Sequence, residues 1–168
     1  MNIEVVKVLL EEKQILDNLL KMYCYEWSQY NKFDVNHQGE YEFEYQISDY
    51  WDKENHYPYF VKVNGILAGF VLIDGKFELY LNHDYEMAEF FIMYKYRRAG
   101  VGRYVAKAVF DMFHGKWEIG IHPHNITSLR FWGSIVDEYT DGKYEIMKSC
   151  HDVVYHDGTC ADIISFEN

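Results

Sequence analysis

The stretch YRRAGVGRYVAKAVF, residues 96–110, follows an apolar run and opens a helix-like pattern, and it decides the fold. Arg97 and Arg98 stand just before two glycines, Gly100 and Gly102. The apolar residues beyond the arginines share the spacing of one helical face and are Val101, Val105, Ala108, Val109 and Met112. The chain therefore places positive charge and a glycine-rich turn at the start of an amphipathic helix.

A helix that begins in this way is suited to binding an anion. Its first backbone N–H groups have no partner within the helix, and the helix dipole adds partial positive charge at the same end. Gly100 and Gly102 have no Cβ, so a ligand can approach their backbone closely. Cations are otherwise unfavourable at this end, so Arg97, Arg98 and Arg103 favour a phosphate-bearing ligand. The alternative is a helix that merely starts with glycine beside surface arginines.

Two other phosphate-binding motifs fit this stretch less well. A P-loop requires Lys and then Ser or Thr after its second glycine, but Arg103 and Tyr104 stand there. A dinucleotide-binding turn requires a third Gly or Ala, and Val105 occupies that position. The acidic residue of that motif should end a strand, whereas Glu118 lies inside a predicted one. A nicotinamide-dependent oxidoreductase is therefore disfavoured.

The rest of the chain predicts strands and two further helices. The strand-like runs are IEVVKV, PYFVKV, ILAGFVLIDG, KFELYL, MAEFFIM, KWEIGIH, KYEIMKS and CADIISFE. Asn64–Gly65 predicts a hairpin, and Asp74–Gly75 and residues 82–84 predict turns. One helical face consists of Leu16, Leu19, Leu20, Tyr23 and Trp27, and another consists of Ile126, Leu129, Trp132, Ile135 and Val136 after an Asn125 N-cap.

The order of these elements predicts the fold class. Antiparallel hairpins come first, then strand, helix, strand and helix, and finally two strands. This order predicts an α/β (α+β) fold with a mixed, mostly antiparallel central sheet flanked by helices. No repeat or linker divides the chain, so residues 1–168 are expected to form a single domain. The segment GEYEFEYQISDYWDKENHYP, residues 39–58, is ambiguous, because strand-like alternation of Glu and aromatic residues runs into a short helix-like segment.

Composition and charge limit the function. The chain has 168 residues, 49% of them hydrophobic and 18% aromatic, which is enough for one core. The formal net charge of −11 disfavours a nucleic acid and an anionic membrane surface as partners. A cationic small molecule or a basic peptide would be attracted instead, although an acidic balance also serves solubility alone.

The cysteines and the first residues indicate the compartment. The three cysteines, Cys24, Cys150 and Cys160, match no zinc spacing, and the number is odd. The segment MNIEVVKVLL is too short and too charged for a secretory leader, and no apolar run is long enough for a membrane span. A cytoplasmic protein with reduced thiols is expected.

Two segments resemble the Gcn5-related N-acetyltransferase (GNAT) family. FFIMYKYRRAGVGRYVAKAVFDMF, residues 90–113, resembles its acyl-CoA-binding motif, Gln/Arg-x-x-Gly-x-Gly/Ala after an apolar strand. Arg97, Gly100 and Gly102 match that pattern. HNITSLRFW, residues 124–132, resembles the next family segment, in which an Asn opens a helix. The resemblance covers most of the chain and is weakest before residue 59.

The resemblance implies acetyl-CoA as cosubstrate and an acyl-CoA N-acyltransferase fold. The pyrophosphate would lie on the backbone N–H groups of Arg98, Ala99, Gly100, Val101 and Gly102, with Arg103 alongside. The pantetheine arm would run beside Phe91, Ile92 and Met93 like an extra strand, and Asn125 would hydrogen-bond it. A backbone N–H near Ile92 would stabilise the oxyanion.

Transfer to an amine needs a neutral nucleophile, and an alkyl ammonium has a pKa of about 10.4. Glu89 is the first candidate base, because it interrupts an apolar strand on the face expected to include Met87, Phe91 and Met93. A solvent-facing carboxylate is the alternative for Glu89. His122, at the end of the next strand, is a second candidate base. His122 and His124 lack a third metal ligand, so no metal site is predicted.

The general acid departs from the family pattern. The family commonly places a Tyr on the helix after Asn125, and the matching position here is Trp132, whose indole is no acid at neutral pH. Trp132 is thus assigned to the cofactor site, and Tyr139 is the candidate substitute acid. Water can also protonate a leaving thiolate.

The acceptor is expected to be a primary amine of a small, cationic molecule or of a peptide. The segment after the first helix mixes carboxylates with aromatic rings, which suits an ammonium group, and a solvated acidic loop is the alternative. A homodimer is considered as the assembly. The function predicted is an acetyl-CoA-dependent N-acetyltransferase, and the alternative is a non-catalytic acyl-CoA-binding module.

Overall fold

Seven strands form one sheet in the computed structural model, which describes residues 1–42, 47–75 and 83–168. The strands are β1 Ile3–Lys7, β2 His56–Val63, β3 Ile66–Gly75, β4 Tyr85–Ile92, β5 Lys116–Ile121, β6 Tyr144–Val154 and β7 Cys160–Glu167. Their order across the sheet is β1-β2-β3-β4-β5-β7-β6. All neighbouring strands run antiparallel except β4 and β5, which are parallel. The mixed, mostly antiparallel sheet of the sequence prediction is confirmed.

Helices cover both faces of this sheet. They are α1 Lys13–Asn31, α2 Asp49–Asp52, α3 Val101–Met112 and α4 Ile126–Thr140, with 3-10 helices at Leu10–Glu12 and Tyr94–Tyr96. One core cluster joins the sheet to α3 and α4 through residues such as Val105, Phe110 and Ile135. A second cluster joins the opposite face to α1 and α2 through Leu16, Leu20 and Tyr50. The chain thus forms three layers, with the sheet in the middle.

β4 and β5 pair over a short distance only. Their paired residues are Tyr85 with Trp117 and Glu86 with Glu118. Within the described residues, β4 has no paired strand on this side from Met87 to Ile92, because β5 pairs onward with β7 alone. The two strands therefore open into a wedge toward the C-terminal end of β4.

A bulge in β4 changes which side chains face which layer. Leu72 opposes Glu89 while Asp74 opposes Glu86, so β4 has one residue more than β3 in this interval. Met87 consequently packs in the α3 and α4 core, whereas Phe91 packs beneath α1. The expectation that Glu89 shares a face with Met87 is wrong, because an extra residue reverses the alternation between them.

The turn expected at Asp74–Gly75 is also wrong. β3 continues through Gly75, whose backbone N–H bonds to the Asn55 carbonyl at 2.7 Å. The predicted strand at residues 76–81 and the alternation at residues 43–45 lie outside the described residues, as does part of the turn at 82–84. No helix among the residues the structure describes is long and apolar enough to cross a lipid bilayer.

Other expectations for single elements are confirmed. Asn64 and Gly65 connect β2 to β3 with φ angles of 50° and 76°, as a hairpin turn with two left-handed residues requires. Asn125 caps α4, accepting a hydrogen bond from the Ser128 N–H at 3.0 Å.

Candidate functional site

The turn between β4 and α3 presents a row of backbone N–H groups that find no acceptor among the described residues. Arg98 and Gly100 adopt left-handed φ angles of 59° and 81°. The first N–H that bonds within the helix belongs to Tyr104, which donates to the Gly100 carbonyl at 3.0 Å. Within the described chain, the N–H groups of residues 98–103 make no hydrogen bond to other protein atoms. An added Cβ at Gly100 would meet nothing within 4 Å, so this backbone is open to a ligand.

The Arg97 guanidinium ties this turn to α1. Its Nε donates to the Ile92 carbonyl at 2.5 Å, and both terminal nitrogens donate to the Glu26 carboxylate at 2.7 Å. The same group lies 4.1 Å from the ring centre of Tyr94. The charge of Arg97 is therefore compensated by Glu26, and its main role here is to fix the turn.

The other two arginines, Arg98 and Arg103, differ in whether a carboxylate pairs with the guanidinium group. Arg103 pairs with Glu138 and donates to the Ser134 hydroxyl at 2.9 Å, which joins α3 to α4. Arg98 is exposed and makes no ion pair or hydrogen bond with any residue that the structure describes. Of the three arginines predicted to hold an anion, only Arg98 thus offers uncompensated charge within the described chain.

The open edge of β4 exposes backbone groups to the wedge. The Met93 N–H donates to the Ala68 carbonyl of the preceding strand region at 2.8 Å. Because the backbone groups of successive strand residues point to opposite edges, those of Phe90 and Ile92 point away from β3. The Ile92 carbonyl receives Arg97 there, and the Ile92 N–H faces the opening.

Two ring side chains of α4 flank the turn. An added Cβ at Gly102 would lie 3.1 Å from the Phe131 ring, so this position has little room for a side chain. Trp132 is buried and meets Phe90 edge-on, with ring centres 5.0 Å apart. Trp132 therefore supports the strand beside the wedge from within the core.

Tyr139 lies near the other end of α4. Its hydroxyl donates to the Asp111 carboxylate of α3 at 2.8 Å, and its ring packs on Phe110 at 5.1 Å. The Asn168 side chain also donates to this hydroxyl at 3.2 Å. These contacts join Tyr139 to the end of α3 and to the C-terminus, away from the wedge.

Glu89 is a half-buried carboxylate between α1 and the turn that joins β6 to β7. On one side lies Tyr23 of α1, whose pKa is raised by burial and then by the charge and hydrogen bond of Glu89. On the other side lies Tyr155, whose pKa is raised by burial first and then by the charges of Glu89 and Glu86. Glu89 thus hydrogen-bonds the Tyr23 hydroxyl and acts by its charge on Tyr155, and both tyrosines stay protonated at neutral pH.

His122 is fully buried at the end of β5, and both ring nitrogens have protein partners. Its Nδ1 accepts the His124 backbone N–H at 3.2 Å, and its Nε2 lies 3.3 Å from the Asp157 carboxylate. Asp157 in turn accepts the Thr159 backbone N–H and hydroxyl at 2.9 and 2.8 Å. The arrangement anchors the β6–β7 turn to β5 and leaves no ring nitrogen of His122 open to a ligand.

The structure brings a third possible metal ligand, Asp157, close to the pair His122 and His124. Ligand atoms of His122, His124 and Asp157 all lie within 4.8 Å of one another. The contact of His122 with Asp157 accounts for this proximity as a hydrogen bond, so we assign the group a structural role.

Tyr155 is the residue of this region that sequence reasoning missed. Its ring packs on His122 at 4.8 Å and on Trp27 at 5.6 Å. Its hydroxyl lies 3.7 Å from the place where a Cβ of Gly120 would stand, on the part of β5 beyond its pairing with β4. A glycine between two isoleucines of a predicted strand was the available signal, since such a position often marks a close approach.

Acidic groups line the closed end of the wedge. Glu118 is buried and bonds to His83 at 2.7 Å. The pKa of Glu86 is raised well above its usual value by burial first and then by the charges of Glu118, Asp74 and Glu89. By contrast, two carboxylates of the predicted acidic segment have lysine partners, Glu40 with Lys21 at 3.0 Å and Asp49 with Lys53 at 2.8 Å.

A groove of about 840 Å³ runs between α1 and the end of β4. Residues from α1 form one wall, and Phe91, Met93, Tyr94 and Lys95 form the other. The groove borders the Arg97 turn, because Glu26 and Tyr94 belong to both.

A mixed sheet that opens beside its central parallel pair, with a glycine turn leading into a helix, defines the acyl-CoA N-acyltransferase class of folds. The sequence model described as acetyltransferase (GNAT) family matches residues 19–134. The chain belongs to this acetyltransferase family. A search of curated protein sequences gave no match.

Solved structures of other acetyltransferases share the fold. An acetyltransferase from Thermus thermophilus superposes with a TM-score of 0.69 at 9% identity, covering 100% of this chain and 98% of that one. PaiA N-acetyltransferase from Thermoplasma acidophilum, in complex with coenzyme A, gives 0.59 at 13% identity, covering 100% of both. Arabidopsis thaliana Naa50 with the bisubstrate analogue CoA-Ac-MVNAL gives 0.65 at 12% identity, again covering 100% of both.

Proposed function

We propose that this protein transfers an acetyl group from acetyl-CoA to a primary amine. The observation that supports it most is the row of unpaired N–H groups at residues 98–103, which continues the open edge of β4. A phosphate ligand and an extended arm would use these two features together. The coenzyme A complex of the Thermoplasma acidophilum protein, which shares the fold, supports the choice of ligand.

Coenzyme A would be held largely by backbone. The N–H groups of the turn would donate to the pyrophosphate, and the exposed Arg98 would add charge. The carboxamide of Asn125 already accepts one hydrogen bond as a helix cap, so its NH₂ group is the part that would donate to the pantetheine. Phe91, Ile92 and Met93 would line the arm along β4.

The chemistry requires removal of a proton and stabilisation of a negative charge. The Glu89 carboxylate would accept the proton of the attacking amine, directly or through water. The Ile92 N–H, which faces the wedge, would donate to the oxyanion of the tetrahedral intermediate. Both groups belong to the same short part of β4, on either side of Phe90 and Phe91.

The acceptor would be a cationic amine or a peptide amine. The net charge of −11 attracts cations, and Glu86, Glu89 and Glu118 concentrate carboxylates at the wedge. Trp27, Tyr30 and Tyr155 add aromatic faces beside them. The peptide part of the analogue bound to Naa50 keeps peptide amines among the candidates.

The experiment has a binding arm and a turnover arm. Calorimetry with coenzyme A should show binding to the wild-type protein and a loss of at least about tenfold in affinity for Gly102→Val, because the side chain would press on Phe131. Gly133→Ala, at an α4 position with nothing within 4 Å, should bind as the wild type does. Thiol release from acetyl-CoA is then followed with cationic, neutral and peptide amines.

The outcomes separate the candidate functions. Binding with turnover of cationic or peptide amines supports the proposal, and equal rates with neutral amines contradict its acceptor class. Binding without thiol release from any amine would favour the non-catalytic module, for which the absence of a free hydroxyl on α4 at Trp132 and Tyr139 is the supporting observation. No binding of coenzyme A overturns both.

A further inference from the structure

We propose that the Tyr155 hydroxyl is the proton donor to the departing sulfur of coenzyme A. The inference rests on the proposed acetyl transfer and adds a catalytic residue to it. The two α4 side chains considered for the proton donor are both excluded. Trp132 is 5% exposed within the core and has no acidic group, and the Tyr139 hydroxyl donates to Asp111 of α3.

The position of Tyr155 follows from the glycine opposite it. β5 pairs with β4 only up to Glu118, so Gly120 lies where the two strands have separated. The Tyr155 hydroxyl stands 3.7 Å from the Cβ position that Gly120 leaves vacant. A larger residue at Gly120 would extend into the space beside this hydroxyl. Because Gly120 has no side chain, the Tyr155 hydroxyl can reach the wedge.

The Tyr155 hydroxyl is held in a defined position by contacts of its ring and of its turn. The ring is fixed by a tilted contact with His122 and an edge-on contact with Trp27. Its turn is closed by hydrogen bonds from the Tyr155 N–H to the Thr159 carbonyl at 2.9 Å and from the Gly158 N–H to the Tyr155 carbonyl at 2.8 Å. Among the residues that the structure describes, the hydroxyl itself has no hydrogen-bond partner, so it can donate to a ligand.

The buried His122 explains why this turn holds its place. The hydrogen bond from His122 to Asp157 attaches the turn to the end of β5, two residues beyond Gly120. His122 and Asp157 are therefore positioning residues, which act on the reaction through Tyr155.

The charge of Glu89 couples the acid to the base. Burial raises the pKa of Tyr155, and the Glu89 carboxylate raises it further, so the phenol stays protonated before the reaction. When Glu89 accepts the proton of the amine, it becomes neutral and this repulsion disappears. The phenol is then a stronger acid at the moment when the thiolate leaves.

The step balances without a further reactant. The amine nitrogen forms a bond to the acetyl carbon and loses its proton to Glu89. When the intermediate collapses, the C–S bond breaks, its electron pair stays on sulfur, and the sulfur receives the proton of Tyr155. The proton held by Glu89 then returns to the Tyr155 phenolate, which leaves the amide, coenzyme A thiol and the enzyme in its starting state.

The test measures the bound thiol directly. The pKa of the coenzyme A thiol in its complex with the protein is obtained from thiolate ultraviolet absorbance, with the complex of desulfo-coenzyme A as blank. Because a hydrogen bond to a charged group favours the thiolate, Tyr155→Phe should raise this pKa by about one unit relative to wild type. Tyr144→Phe, the same change elsewhere on the β6–β7 hairpin, should leave it unchanged.

Turnover gives the second readout. With a reactive amine, Tyr155→Phe should lower kcat by about 10²-fold and change the KM for acetyl-CoA less than about threefold. An equal thiol pKa in wild type and Tyr155→Phe, with coenzyme A bound to both, overturns the role of Tyr155 but leaves the acetyltransferase proposal intact. If Tyr139→Phe raised the pKa of the bound thiol and Tyr155→Phe did not, the proton donor would be Tyr139 of α4. Failure of the wild type to bind coenzyme A rejects the proposed function itself.

Discussion

Glu89 is held in place by its neighbours rather than by its own strand alone. It lies on the α1 face of β4 by regular alternation with Phe91, and its charge acts on Tyr23 of α1 and on Tyr155 of the β6–β7 turn. A half-buried carboxylate in such surroundings can exchange a proton with an amine that enters the wedge.

We expect Glu89→Gln to lower kcat by about 10²–10⁴-fold, because the amide cannot accept the proton of the amine. The KM for acetyl-CoA should change little, since Glu89 is not among the residues proposed to hold it. Steady-state kinetics with the most reactive amine measures both, and Glu11→Gln, an exposed position in a 3-10 helix, is the control. Wild-type kcat in Glu89→Gln would remove Glu89 from the mechanism.

The sequence predicted residues whose chemistry depends on local spacing. The glycines of the turn and the Asn125 cap act within a few residues of themselves, and local pattern is sufficient to find them. The partners of Arg97 and His122 are 71 and 35 residues away along the chain, at Glu26 and Asp157. Such contacts depend on tertiary packing, which a single sequence does not specify.

At the scale of elements, α4 caps its own first turn and packs against the glycine turn that precedes α3. Asn125 accepts the Ser128 N–H at its first turn, while Phe131 lies against Gly102 one turn later. A substitution at the N-terminus of α4 can therefore change the free energy of unfolding and the affinity for coenzyme A independently of each other.

Two substitutions at Asn125 separate these routes. Asn125→Ala should cost about 1 kcal/mol in the free energy of unfolding, because the cap is lost. Asn125→Asp keeps an acceptor for Ser128 and should retain stability, but it loses the NH₂ donor and should weaken coenzyme A binding about fivefold. Denaturant unfolding and calorimetry measure the two effects. Unchanged affinity in Asn125→Asp would limit Asn125 to capping.

Element order could be predicted well, and irregularities could not. The hairpin at Asn64–Gly65 follows from turn chemistry, as does the start of α4. The bulge near Glu89 and the extension of β3 through Gly75 depend on pairing with neighbouring strands, so the alternation and turn expected there were wrong.

For the whole molecule, the acidic end of the wedge is a cost to stability at neutral pH. The pKa of Glu86 is raised above its unfolded value by burial and by Glu118, Asp74 and Glu89. The folded state therefore binds the proton of the Glu86 carboxyl more tightly than the unfolded state does. Glu86 consequently costs no stability below its unfolded pKa, and the free energy of unfolding falls as the pH rises from the unfolded pKa to the folded pKa.

Glu86→Gln should accordingly raise the melting temperature at pH 7–8, and the difference should vanish below about pH 4, where wild-type Glu86 is protonated in both states. Each kcal/mol gained corresponds to about 2–4 °C for a chain of this size. Thermal unfolding across this pH range measures it, with the exposed Glu145→Gln as control. A benefit that persists at low pH would assign the effect to something other than the charge.

The two-residue contact between β4 and β5 has a mechanical consequence. Strands β1 to β4 and strands β5, β7 and β6 form two hydrogen-bonded ribbons. Among the described residues, strand pairing joins the ribbons only at Tyr85 with Trp117 and at Glu86 with Glu118, and hydrogen bonds of Asp84 with Lys116 lie next to these pairs. Beyond this short pairing, the side chains of α3 and α4 hold the two ribbons at a fixed angle by packing against both of them. A ligand that pairs with the open edge of β4 would add contacts between the two ribbons, so we expect the protein to be more rigid with such a ligand bound than without it.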